Sequence, residues 1–177
     1  MKLAKTLIKA GSEHRKFMRQ IFVSADITAP LYWWKEADTY KVATTANSTS
    51  TMHTIQKTPI TFGNFEMGDF KDTIYDENGT PILEMGSVWR DLIKIMERVR
   101  EIYNATGNKE VWKELIRILP ESWLQTRTWT ASYETLLGVC SPGQRRFHKL
   151  DEWKVDFINC ARELPYAQDL LFGDELS

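Results

Sequence analysis

Residues 29–53 read APLYWWKEADTYKVATTANSTSTMH, and the reading of this stretch decides the fold. Its first half is dense in aromatics. Its second half, residues 44–53, carries seven hydroxyl or amide side chains and no charge apart from His53. Ala29-Pro30 starts a new element, because proline is tolerated in a first helical turn, and Leu31 to Asp38 has helical composition. Residues 39–45 return to strand-like types. Asn47, Ser48, Thr49, Ser50 and Thr51 are short donors and acceptors that reach backbone or a small polar ligand. The alternative is a solvated turn. Adjacent Trp33 and Trp34 cannot share one helix face, which leaves one for an interface or ligand, or both for two faces of an interior helix.

Upstream, residues 2–9 read as a first strand broken at Gly11 and Ser12, and residues 16–24, KFMRQIFVS, as a second. Downstream, residues 56–81 show little periodicity and read as a long loop with short turns, a length often tied to function. Trp89, Leu92, Ile93, Met96, Val99, Ile102 and Tyr103 then follow helical spacing, ended by Gly107. Val111, Leu115, Ile118 and Leu119 mark a second helix, stopped by Pro120. Residues 128–140 read as a third helix. Leu150, Trp153, Phe157 and Ala161 mark a fourth, with SPGQRR at 141–146 as the loop before it. A small sheet early and a helical layer later make one α+β domain over residues 1–177.

The chain of 177 residues is 42% hydrophobic and 27% charged, as an ordinary globular domain is, and long enough to bury a core without staples. A net charge of −1 gives no global pull toward nucleic acid or anionic membrane. Cys140 and Cys160 lack disulfide or zinc spacing and read as buried free thiols. Lysines interrupt the N-terminal apolar run, so no signal peptide is expected, and no window is long enough for a membrane span. These features place the protein in the cytoplasm, or in a host cell's cytoplasm.

Arg127, Arg145 and Arg146 are candidates for holding phosphate or carboxylate, because guanidinium offers paired donors; ordinary surface charge is the alternative. His148 is a candidate acid or base, or a structural histidine. Glu134 has a nearby arginine as its expected partner. Lys35, Glu36 and Asp38 read as a solvated face. Neither a glycine-rich phosphate loop nor a nucleophile elbow is present.

The order of these segments resembles the flavin-dependent thymidylate synthases, the ThyX family. That family has a helix beginning near Ala-Pro, then Arg-His-Arg-x-x-Ser-x-Asn-Glu-x-Ser-x-Arg-Tyr. Here Ala29-Pro30 is followed by Lys41, Thr44 or Thr45, Asn47, Ser50 and Met52-His53, with one extra residue. The family's Leu-Pro and Trp-Thr-x-Asn-x-Arg-x-Leu segment is matched by Leu119-Pro120 and Trp129-Thr130-x-Ser132-x-Glu134-x-Leu136. Arg145 or Arg146, with His148 and Glu152, stands in the last segment. The resemblance implies a ThyX-like α+β fold, a small sheet against a helical layer, and a homo-oligomer, since four chains of that family share their sites.

The departures bear on activity. Arg-His-Arg becomes Thr39-Tyr40-Lys41, Asn-Glu becomes Asn47-Ser48, Arg-Tyr becomes Met52-His53, and Asn-x-Arg becomes Ser132-Tyr133-Glu134. In the family those arginines hold dUMP and help seat FAD. Losing two charge-assisted hydrogen bonds weakens a nucleotide on the order of a thousandfold. The expectation is a divergent nucleotide-binding protein of phage or prophage type without thymidylate synthase activity. Its site would draw on Tyr40, Lys41, Asn47, Ser50, His53, Arg127, Arg145 and Arg146, with Tyr40, Trp33 or Trp34 stacking on a base and FAD the cofactor the resemblance implies. Exposed tryptophans would suit an oligomer interface. The alternatives are a non-catalytic phage accessory or anti-defence protein, acting on a host protein or sequestering a nucleotide, and an active FAD-dependent thymidylate synthase.

Overall fold

The structure, a computed structural model, describes residues 1–173. Along the chain come α1 (Lys2–Lys9), β1 (Phe22–Pro30), α2 (Leu31–Ala37), β2 (Thr44–Ser48), α3 (Thr51–Thr54), β3 (Thr73–Tyr75) and β4 (Pro81–Glu84). Then follow α4 (Met85–Thr106), α5 (Lys109–Arg117), β5 (Leu124–Ser132), α6 (Tyr133–Val139), α7 (Pro142–Arg145), α8 (Ile158–Arg162) and α9 (Ala167–Leu170). Strands β1, β5 and β2 form one sheet in that order, and β3 pairs antiparallel with β4. This is an α+β fold. The chain divides into two compact units, and the division falls within β1, β2 and β5.

One unit comprises Thr28–Tyr32 and Ser48–Thr126. Its core is the stripe the spacing predicted: Ile93 and Met96 of α4 pack with Leu115 of α5, Phe65 and Trp123, and Trp89, Leu92 and Val99 lie against them. Burying a side chain such as Met96 or Leu115 contributes roughly 1.5–3 kcal/mol. Helix α4 stops at Gly107, whose φ of 66° is left-handed and whose N–H donates to the Tyr103 carbonyl at 2.7 Å. Asn108 caps α5 by accepting from the Glu110 N–H at 2.9 Å.

The long segment after α3 is fastened to α4 by a charged pair. Arg100 donates to both Glu97 oxygens and to the Gln56 carbonyl, while Glu97 accepts from the Ile60 N–H at 2.7 Å. The Arg100 hydrogen bond holds the Glu97 carboxyl below its ordinary range. This segment also contains the β3–β4 hairpin, where the sequence suggested only turns.

The other unit comprises Met1–Ile27, Trp33–Asn47 and the chain from Arg127 onward. Three expectations are corrected here. Residues 2–9 are helix α1, not a strand: Leu3, Leu7 and Ile8 alternate with Lys2, Lys5 and Lys9 at helical spacing. The second strand begins only at Phe22, after a 3₁₀ turn over Lys16–Gln20. Residues 128–132 belong to β5, and helix begins only at Tyr133. Thr128 and Thr130 of β5 meet Asp26 and Ser24 of β1 at 2.5 and 2.8 Å, while Trp129 and Ala131 between them are buried. That alternation is a two-residue period, which outweighs the weak helical composition.

Ser132 ends the strand and caps α6 by accepting from the Thr135 N–H at 3.3 Å. The SPGQRR segment contains the short helix α7, capped by Ser141, rather than loop alone. The fourth helix opens as a π-helix over Glu152–Phe157 before continuing as α8. Cys140 is buried, but Cys160 is exposed, against the expectation of two buried thiols. Among the described residues, no helix is long and apolar enough to cross a membrane.

Candidate functional site

In the unit that holds Trp33–Asn47, the aromatic segment and the last helical segment meet. The π-helix carries Trp153, and the Trp153 ring stacks on Trp33 with centroids 4.3 Å apart and an interplanar angle of 11°. His148 also stacks on Trp153, at 5.0 Å and 8°. Trp33 meets the edge of Trp34 at 4.8 Å, and Arg127 lies over the Trp34 ring at 4.5 Å. Tyr40 and Arg127 are thus joined through three tryptophans. Offset stacked pairs add about 0.5–1.5 kcal/mol each beyond area burial.

Polar groups close around this column. Tyr40 accepts a hydrogen bond from Gln144 Nε2 at 2.9 Å, and its hydroxyl lies 3.3 Å from His148 Nε2. Burial, the largest influence, raises the Tyr40 pKa against the opposing Gln144 hydrogen bond, so the phenol stays protonated. The Thr44 hydroxyl donates to the Tyr40 carbonyl and fixes the start of β2. Arg127 pairs with Asp38 at 3.0 and 3.2 Å. Asp38 is therefore a partner and not merely part of a solvated face. The Trp153 indole N–H is a buried donor with no hydrogen-bond acceptor among the described residues, which costs about 1–3 kcal/mol.

Of the residues expected at the site, Tyr40 and Arg127 belong to this column. Arg145 ends α7, directly after Gln144, and its charge bears on Cys140, whose thiol is nonetheless pushed up to about 12 by burial. Lys41 directly follows Tyr40, Arg146 precedes His148 by two residues, and both are exposed. Asn47 lies exposed on β2. Ser50 and His53 fall in the other unit: the Ser50 carbonyl accepts from the Thr54 hydroxyl, and His53 is exposed in α3.

Trp33 and Trp34 do not offer a face to a base or to an interface. Both are buried, and their rings are engaged by Trp153, by each other and by Arg127. Glu134 has the arginine partner expected of it: both its oxygens accept from Arg15 Nε, at 3.1 and 2.9 Å. Sequence reasoning missed Trp153 and Gln144 as members of the column. The adjacency of Trp153 to the Arg…His…Glu segment was the available signal.

No protein-family model matches the chain, and no curated protein resembles it significantly in sequence. Solved structures do. A flavin-dependent thymidylate synthase ThyX from Helicobacter pylori, complexed with FAD and dUMP, is 14% identical with a TM-score of 0.56, over 97% of this chain and 93% of that one. A second structure of the Helicobacter pylori enzyme with FAD and dUMP gives the same identity and TM-score over 99% of this chain and 94% of that one. At that identity the likeness establishes the architecture. The chain has the α+β fold of the flavin-dependent thymidylate synthases.

Proposed function

We propose that the chain is a homo-oligomeric, ThyX-like nucleotide-binding protein without thymidylate synthase activity. The observation that carries this reading is the Tyr40–His148 contact, because it joins two segments that each bring an exposed cation, Lys41 and Arg146. An exposed ammonium and guanidinium beside a half-buried phenol and imidazole suit a phosphate and an attached polar ring. The fold supports the reading, since proteins of that fold hold dUMP.

The cluster does not fit a flavin. A flavin ring needs an open aromatic slot or donors aimed at its edge. Here the Trp33 and Trp153 rings stack on each other, and Arg127 is committed to Asp38 and Trp34. The motif departures at Thr39, Ser48, Met52 and Glu134 point the same way.

Calorimetry with dUMP and a panel of nucleotides tests the proposal. The expected result is a saturable heat that falls about tenfold to a hundredfold in affinity in Lys41→Ala and Arg146→Ala, the range of one charge-assisted hydrogen bond. Absence of heat with every nucleotide would remove the binding claim. Rescue of a thymidine-auxotrophic strain would remove the claim of lost activity.

A further inference from the structure

A nucleotide brings a base as well as phosphate, and a base has an apolar face as well as a polar edge. Tyr40 and His148 offer polar atoms to an edge. The tryptophans of the column offer no face, since Trp33, Trp34 and Trp153 are buried with their rings against one another. The residue before His148 does. Phe147 is 79% exposed, and it stands in the chain between Arg146 and Lys149, which are exposed as well.

The backbone holds Phe147 beside the Tyr40–His148 contact. The Phe147 N–H donates to the Gln144 carbonyl at 3.0 Å, and Gln144 Nε2 donates in turn to the Tyr40 hydroxyl at 2.9 Å. The segment after Tyr40, which brings Lys41, is fixed too. The Val42 carbonyl accepts from the Thr135 hydroxyl at 2.7 Å, and the Ala43 carbonyl accepts from the Ser132 N–H at 3.3 Å. Ala43 sits in the left-handed region at φ 53°, a conformation that a residue with a Cβ keeps only where its surroundings impose it.

The cations here are not spent inside the protein. Lys41, Arg146 and Lys149 have no acidic partner among the described residues. Elsewhere in the same unit Arg15, Arg127 and Lys154 hold Glu134, Asp38 and Asp151. A phosphate monoester carries a charge of about −1.5 to −2 at neutral pH, which is less than these three cations together supply. Glu36 bears on the Tyr40 hydroxyl from α2, which leaves the outer side, with the cations, for phosphate.

We infer that the base of the ligand stacks on Phe147 and that the ligand carries more than one phosphate, held by Lys41, Arg146 and Lys149. Stacking on a single exposed ring tolerates any base, because every base has a π face. A free nucleoside polyphosphate and a single strand both present this chemistry. The inference rests on the nucleotide binding proposed above and deepens it.

The test is calorimetry on the full chain with dUMP, dUTP and inorganic tripolyphosphate, on wild type, Phe147→Ala, Phe147→Trp and Lys149→Ala. Circular dichroism identical to wild type establishes that each variant folds, as expected for exposed positions. Wild type should bind dUTP about tenfold more tightly than dUMP, and Lys149→Ala should lose most of that margin. Phe147→Ala should weaken both nucleotides about tenfold and leave tripolyphosphate unchanged, while Phe147→Trp should bind them as wild type does. Equal affinity of wild type for dUMP and dUTP, nucleotide binding untouched in Phe147→Ala, or a loss of tripolyphosphate along with the nucleotides would overturn the inference and leave the nucleotide reading standing. Absence of heat with every nucleotide would overturn both. Oligothymidylate distinguishes the sources: tighter binding than dUTP assigns the phosphates to a strand, weaker binding to a free nucleoside polyphosphate, and the inference holds in either case.

Discussion

The α4–α5 core and the Tyr40–Trp33 column are both dense in aromatics, but they are built on different terms. In the first, Met96, Leu115 and Phe65 are apolar on every side, and the polar groups nearby, Glu97 and Arg100, satisfy each other and the backbone. In the second, three of the rings have polar neighbours: Arg127 over Trp34, His148 on Trp153, Gln144 at the Tyr40 hydroxyl. One buried donor there, the Trp153 indole N–H, has no acceptor among the described residues. Buried polar atoms without a partner among those residues also border the first core, at Gln56 Oε1 and Ser122 Oγ. What sets the column apart is the polar groups placed against its rings.

Leu115→Ala should break the apolar core most severely. It is expected to cost about 2–5 kcal/mol, read from urea unfolding, because α4 and α5 cannot collapse onto the cavity. Trp153→Phe sharpens the comparison. It removes the unpaired indole N–H while keeping a ring between Trp33 and His148, so its stability loss should stay under about 2 kcal/mol while nucleotide affinity falls. If the variant loses stability as Leu115→Ala does and binds nucleotide unchanged, the column is an ordinary core.

Asp38→Asn should cost no more than about 1 kcal/mol, since the Asp38 end of its ion pair is largely exposed, and Arg127→Ala should cost more, because it also uncovers Trp34. A reversed order would mean that Arg127 is held by charge alone.

The two cysteines give the finest distinction. Cys160 should react with a disulfide reagent in the native state and Cys140 only after unfolding. The Cys140 thiol, raised to about 12, contributes stability that is complete below the ordinary thiol pKa near 9 and lost as pH rises toward 12. Alkaline melting should therefore be steeper in the wild type than in Cys140→Ala.

Legibility in the sequence followed the same divide. Helices α4 and α5 were readable because their apolar residues recur at helical spacing and Gly107 and Pro120 punctuate them. Helix α1 was misread because eight residues hold too few turns to outweigh its mixed composition. In β5 the threonines 126, 128 and 130 alternate with Gln125, Trp129 and Ala131, but the flanking α6 drew the whole stretch toward helix.

The segments of the column were visible as unusual, and the resemblance set them in order. Their pairing was not visible. Tyr40 and His148 are separated by 108 residues, and the π-helix that presents Trp153 has no local signature. Nor could composition tell that Trp33 and Trp34 would spend their faces inside the protein.

The central claim is a ThyX-like fold that binds nucleotide without flavin chemistry. The most direct measurement is a visible absorbance spectrum of freshly purified full-length protein, followed by denaturation and mass spectrometry of what is released. The account predicts a colourless protein that releases a nucleotide or takes one up on titration. A flavin band with released FAD would contradict it.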